Sequence, residues 1–244
     1  MTRSQRRPSV QTDPIQFEPL AEDALLLRFG ECIDAAINAR VLAAVDVLLR
    51  QRPPLECVPA YASVLLRFEA RAWADTHSTA HQAVELAVRS ALTADATSRQ
   101  MPREQEIPVC YGGACGPDLA AMADYLNLPI DTVVARHTGA DYRVAMIGFA
   151  PGFPYLLGLD PALAMPRRRD PRQRVAAGSV AIGGAQTGIY PEQLPGGWQL
   201  IGRTPLRLFD VTATPPSLLA AGDRVRLRAI DQDEFDHFET GLRR

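Results

Sequence analysis

Gln186, Thr187, Tyr190, Trp198 and Arg203 crowd into the stretch VAIGGAQTGIYPEQLPGGWQLIGRTP, which runs from Val180 to Pro205. Amide, hydroxyl, phenol, indole and guanidinium groups at such short range can hydrogen-bond, wall in and neutralise a small polar ligand. Seven of the chain's 17 glycines lie between Gly178 and Gly202. Glycine widens the unfolded ensemble, so its clustering has a local reason: tight turns in a β-rich fold, or backbone that must approach a ligand. Gly184, Gly196 and Gly197 fit the second reading. Gly152 fits it too, in IGFAPGFPYLLGLDP (Ile147–Pro161), an apolar loop stiffened by proline that also suits a partner protein.

Charge points the same way. From Asp141 to Pro205 seven arginines stand against four acids, in a chain whose formal net charge is −2. The local excess favours a carboxylate or phosphate ligand, with Arg174 and Arg203 as clamps because they flank the glycine-rich stretch. All 26 basic residues are arginine. Without lysine there is no Schiff-base chemistry, no lysine general base and no standard P-loop, so phosphate would be held by arginine, backbone N–H groups or a metal.

His137 sits where a predicted helix meets the strand YRVAMIGF. It can act as a proton carrier, as a donor to an anion, or as a charge at a helix C-terminus. His77 and His81 are four apart on another predicted helix, but no neighbouring carboxylate or thiol completes a metal set, and they read as structural. No metal centre is expected. Ser179 stands in AGSVA rather than GxSxG, and GGAQTG is not GxGxxG, so neither a nucleophile elbow nor a dinucleotide fold is expected.

These groups need a scaffold. The 244 residues, 47% hydrophobic and 22% charged, suit one large or two small globular domains. The opening MTRSQRRPSVQTDP has no apolar core of a secretory signal and reads as a basic disordered arm over 1–13. No run reaches membrane length, and the charge gives no reason to expect nucleic acid, so a cytoplasmic protein is expected. Cys32, Cys57, Cys110 and Cys115 are too irregularly spaced for a disulfide framework or zinc, and read as reduced thiols.

Residues 14–98 suggest a split βαβ, ferredoxin-like α+β domain. It comprises the strand ALLLRFG, a helix over CIDAAINARVLAAVDVLLR stopped by QRPP, two strands, and a helix capped by Thr76 or Ser78. From Glu104 to residue 230 the texture changes. The strand EIPVCY precedes a helix opened by Pro117 and Asp118 and closed near Asn127, then a helix over IDTVVARHTGA. Short strands follow with Gly and Pro turns, LRLFDV and DRVRLRAI among them, which predicts a β-barrel or sandwich with helical insertions. Residues 231–244 read as a tail with a short exposed helix.

HTGADYRVAMIGFAPGFPYLLGLDP and PRQRVAAGSVAIGGAQTGIYPEQLPGGWQLIGRTPLRLFD together resemble the family of KipI and the 5-oxoprolinase B subunit, also described as allophanate hydrolase subunit 1. The likeness is densest from Ile107 to Asp210. It departs from the family pattern at Leu157, where a glycine is common, and at Ala150, where a larger residue is usual. The resemblance implies a cyclophilin-like β-barrel behind the ferredoxin-like domain. It also implies a multi-subunit, ATP-dependent hydrolase that opens 5-oxo-L-proline to L-glutamate. In that enzyme this chain works with the 5-oxoprolinase C subunit and A subunit, and ATP with Mg is bound by the assembled complex. Carried onto this sequence, the resemblance makes His137 and Arg203 catalytic. Gln186, Thr187, Tyr190, Trp198 and Arg174 contact the small anionic substrate, and Gly184, Gly196, Gly197 and Gly152 permit close approach. A KipI-like inhibitor of a sensor histidine kinase, or a component for allophanate and urea-related amide chemistry, are the alternatives.

Overall fold

A computed structural model describes residues 14–51, 54–74, 77–94 and 102–241. The chain divides into two compact units, Met1–Ser98 and Arg99–Arg244. The expected N-terminal arm and the candidate cap Thr76 lie outside the described residues.

The first unit runs β1 (Gln16–Ala21), β2 (Ala24–Arg28), α1 (Ala35–Gln51), β3 (Leu55–Pro59), β4 (Ser63–Phe68), the single turn α2 (Ala70–Trp73) and α3 (Ala80–Ala94). Its sheet order is β1-β2-β4-β3, antiparallel throughout. β4 therefore lies between β2 and β3, the two strands joined by α1, which is the split βαβ arrangement. The fourth position is filled by β1, a largely exposed edge strand carrying Pro19. Leu25, Leu27, Val64 and Leu66 on the sheet pack against Val41, Val47, Val84 and Val88 on the helices, the helical residues recurring at the spacing of one buried face. Asp34 opens α1 by accepting the N–H groups of Ala36 and Ile37. Thr79, not Ser78, caps α3: its Oγ1 accepts from Gln82 N, and Gln82 Oε1 accepts from Thr79 N. This reciprocal pair satisfies two helix-end donors at once.

The second unit runs β5 (Glu104–Tyr111), α4 (Leu119–Leu126), α5 (Ile130–Thr138), β6 (Tyr142–Ile147), β7 (Pro154–Leu157), a 3₁₀ turn (Pro161–Leu163) and β8 (Arg172–Val175). It continues with β9 (Ser179–Gly183), β10 (Gln186–Ile189), β11 (Leu194–Gly196), β12 (Gln199–Arg203), β13 (Arg224–Ile230) and α6 (Gln232–Gly241). Seven strands close into a barrel in the order β10-β7-β6-β13-β5-β12-β9, and β8 pairs with β11 in a small side sheet. Val109, Val144, Leu156, Val180, Ile182, Ile189, Ile201 and Leu227 fill the interior. Closure removes the free edges that an open sheet of such apolar strands would expose. α4 begins after Asp118 and ends on Asn127, whose φ of 52° places it in the left-handed region that asparagine tolerates at a helix end.

Two expectations are corrected. LRLFDV is not a strand. Leu208 and Asp210 bond instead to Leu218 and Pro216 across a folded-back loop, with one isolated bridge between Phe209 and Ser217. The C-terminal helix is not merely an exposed tail, because Phe235 is buried against Cys110, Cys115 and Ile230. No helix among the described residues is long and apolar enough to cross a membrane.

Candidate functional site

The expected site residues separate into three places. The first is the barrel interior, where His137 at the end of α5 is fully buried with Thr187 of β10. Thr187 Oγ1 donates to Ala181 O at 2.9 Å. Its single proton is thereby used, so at the 3.2 Å contact with His137 Nε2 it accepts. His137 therefore carries its proton on Nε2, and Nδ1 accepts from the Tyr111 hydroxyl at 2.8 Å. Burial lowers the His137 pKa to about 3 and holds the Tyr111 hydroxyl well above its ordinary range. The chain Tyr111–His137–Thr187–Ala181 is thus neutral and satisfied at every link, tying α5 to β5, β10 and β9. Neither ring nitrogen of His137 faces solvent. The positive histidine considered for the helix end is absent here, because desolvation outweighs the helix-dipole attraction of about 0.3–1 kcal/mol.

The second place holds Gln186 and Trp198. Arg167 lies over the Trp198 ring at 5.8 Å and donates to Gln186 Oε1 at 3.4 Å. Trp198 and Tyr190 are buried in an edge-to-face aromatic cluster centred on Phe153, with centroid separations of 5.8 and 5.2 Å. Tyr190 also takes a backbone hydrogen bond from Trp198. The glycines here serve the protein's own rings. A Cβ on Gly196 would run into Tyr190, and one on Gly183 into the Trp198 indole. Gly152 is likewise closed off by Phe209, whereas a Cβ on Gly197 would meet Pro171 at ordinary contact distance. Of the four glycines expected at the site, Gly184 alone opens onto empty space, at the turn between β9 and β10.

The third place is a hollow of about 390 Å³ that contains Arg203, lined also by Arg207, Glu192, Gln193, Thr204 and Gly178. Arg203 Nε donates to Ala177 O at 2.8 Å, and its guanidinium lies over the Phe235 ring at 5.5 Å. Arg207 Nε donates to Phe209 O at 3.2 Å, and its other end pairs with Asp210 at 2.9 Å, so both guanidinium groups are oriented by the chain. Thr204 N donates to Gly178 O, and Leu206 N to Thr204 Oγ1, which hold the turn GRTP in place. Pro151 forms part of the rim. Phe149, two residues earlier, is 60% exposed, and its φ of 67° is a strained conformation for a bulky residue. Val211, also on the rim, is 80% exposed. Arg174 is exposed on β8 and does not line this hollow.

The expectation that Gln186, Trp198 and Arg203 share one hollow is corrected by the strand register. On β9, Gln186 pairs with Gly183 and Arg203 with Ser179. Four residues of strand, about 13 Å, separate the two positions. Gln186 on β10 and Arg203 on β12 thus sit beside opposite ends of β9.

Sequence reasoning passed over Tyr111, Arg207 and Asp118. Asp118 is buried and its carboxylate accepts from Leu200 N at 2.7 Å, Arg172 at 2.7 Å and Arg168 at 3.3 Å. It is the bolt between α4, β12 and the arginine run, and its place in GPD signalled only a helix start. Among the described residues no group of three or more His, Cys, Asp or Glu is gathered as a metal would require.

Comparison with known proteins converges on one family. Residues 15–219 match the family described as carboxyltransferase domain, subdomain C and D. The chain is similar to the 5-oxoprolinase B subunit of Bacillus subtilis (strain 168), at 40% identity over 231 residues, covering 92% of this chain and 96% of that protein. Among solved structures it resembles TTHA0988 at 38% identity and a TM-score of 0.74, covering 85% of this chain but only 40% of that longer one. The K. lactis urea amidolyase, 20% identical with a TM-score of 0.70, shares the fold over 91% of this chain and 15% of its own. Near-complete coverage at this identity, on a matching closed barrel, shows that the chain belongs to the family of 5-oxoprolinase B subunits.

Proposed function

We propose that this chain is one component of an ATP-dependent 5-oxoprolinase, working with the A and C subunits of that enzyme to open 5-oxo-L-proline to L-glutamate. The observation that carries the reading is the near-full-length similarity to the Bacillus subtilis protein named as the 5-oxoprolinase B subunit. The Arg203 hollow supports it in chemical terms. The substrate is a small carboxylate with a ring amide, and the hollow offers Arg203 for the anion, with Glu192 and Gln193 within the same lining for the amide N–H and C=O; Arg207 stands beside it, paired with Asp210 at 2.9 Å.

A lactam is a stable amide; phosphoryl transfer from ATP to its oxygen makes the ring carbon electrophilic, so that water adds, the C–N bond breaks to free the amine, and a second water releases phosphate from the acyl phosphate. We assign ATP with its Mg to the assembled complex. The arginines of this chain suit phosphoryl oxygens, but the described residues gather no carboxylate set for the metal. The work of this chain is to bind and orient the anion. Carbonyl-anchored guanidinium groups do so with little ordering on binding, because they are already held in place. The exposed Phe149 and Val211 beside the hollow are the contacts we assign to the C subunit.

The test is reconstitution with both partner proteins, following glutamate release from 5-oxo-L-proline. Release that needs ATP and stops when this chain is left out supports the proposal. An assembled complex that releases no glutamate with ATP overturns it.

A further inference from the structure

At the other end of the barrel two arginines oppose one another. Arg143 on β6 pairs in register with Arg224 on β13. Directly opposed residues of antiparallel strands point to the same side with Cβ atoms about 5 Å apart, where like charges destabilise the pair. Both line a groove of about 900 Å³ on the outside of the barrel. Elsewhere on this surface the chain supplies a counter-charge for each guanidinium. Arg228 bonds Glu106 at 2.9 Å and Glu234 at 2.8 Å, Arg226 stands 4.0 Å from Glu104, and Arg103 bonds Asp223 at 2.6 Å.

Arg143 and Arg224 are treated differently. Among the described residues neither has a carboxylate within ion-pair distance, and Arg143 Nε is buried without any hydrogen-bond partner. Asp141, two residues before Arg143, also lines the groove but pairs with neither arginine. Two facing cations cost stability, and one oxygen-rich anion held between their terminal nitrogens removes that penalty.

We infer that the Arg143–Arg224 pair is a binding site for a small oxyanion, a carboxylate or phosphate group bridging the two guanidinium groups. It is separate from the Arg203 hollow. On β5, Arg224 pairs with Glu104 and Arg203 with Cys110, six residues or about 20 Å apart along the strand. The inference does not rest on the functional proposal above.

The full chain, titrated calorimetrically at low salt with inorganic phosphate and separately with acetate, tests it. Saturable binding of at least one probe that persists in Arg203→Gln is expected, with a dissociation constant on the order of 1 mM. Preference for phosphate or for acetate identifies which oxyanion the site takes. Arg224→Gln, an exposed change that leaves the fold intact by circular dichroism, and Arg143→Gln should each weaken binding about tenfold. Asp141→Asn should tighten it, and Arg203→Gln should leave it unchanged. Where Arg143→Gln fails to fold, Arg224→Gln decides. Absence of saturable binding by both probes, affinity that survives Arg224→Gln, or affinity lost in Arg203→Gln overturns the inference.

Discussion

Replacing His137 by glutamine should flatten the pH dependence of barrel stability. The unfolded imidazole titrates near 6.5, whereas burial holds the folded one at about 3. A depressed folded pKa means that the unfolded chain takes up the proton first as pH falls. The contribution is therefore complete above pH 6.5 and is lost progressively toward pH 3. Between pH 7 and pH 5 the unfolded state gains most of one proton that the native state refuses, a loss of about 2 kcal/mol. Glutamine cannot titrate, so the variant lacks this part of the loss. The remaining histidines and all carboxylates are common to both proteins and cancel in the comparison. The assay is urea unfolding at pH 7 and pH 5 in a Trp73→Phe background, which leaves Trp198 as the fluorophore within the barrel unit. Wild type should lose about 2 kcal/mol more than His137→Gln over this interval. Equal losses would refute the buried neutral imidazole and, with it, the hydrogen-bonded chain from Tyr111 to Thr187.

Other consequences can be measured separately. Asp118→Ala strips Leu200 N, Arg172 and Arg168 of one shared buried acceptor, and should cost about 3 kcal/mol in chemical unfolding; a loss below about 1 kcal/mol would contradict its role as a bolt. Of the four thiols, Cys32 is exposed, Cys110 and Cys115 are buried, and burial pushes Cys57 up to about 11 and Cys115 up to about 12. A disulfide reagent at pH 8 should therefore meet one fast thiol, which Cys32→Ser removes, and fast reaction at Cys110 or Cys115 would be evidence against the packing around α6. Phe149→Gly relieves the positive φ while deleting a largely exposed ring that meets Phe153 edge-to-face at 5.4 Å, two effects on stability of opposite sign. It should leave thermal stability nearly unchanged yet weaken assembly with the C subunit by about tenfold or more, and unaltered assembly would remove the loop from that interface.

Much of the architecture is readable from residue types. Proline and aspartate ahead of α4, and Asn127 behind it, mark that helix because each has a specific backbone preference. Although β7 (Pro154–Leu157) lies within the stretch expected to be a proline-stiffened loop, several barrel strands announce themselves as short apolar runs between glycines and prolines. β1 does not, because an exposed edge strand needs no alternation of polar and apolar residues, and QFEPLA shows none. The cap of α3 is ambiguous in sequence because THST offers three hydroxyls within four residues, and only the answering Gln82 selects Thr79.

The site is less legible than the fold. Gln186, Trp198 and Arg203 are close in sequence, but β12 carries Arg203 away from the other two at about 3.3 Å per residue. His137 is visible as a chemical residue, whereas its burial is not. Its partners Tyr111 and Thr187 lie 26 and 50 residues away, and only barrel closure brings them to it.

The most direct measurement concerns Arg203 in the assembled enzyme. Losing a charge-assisted hydrogen bond to the substrate anion is worth about 1.5–3 kcal/mol, so Arg203→Gln should lower kcat/KM for 5-oxo-L-proline by roughly 10- to 100-fold with the complex still assembled. A variant complex that turns over 5-oxo-L-proline as fast as the unaltered one would show that the hollow around Arg203 is not where the substrate is held.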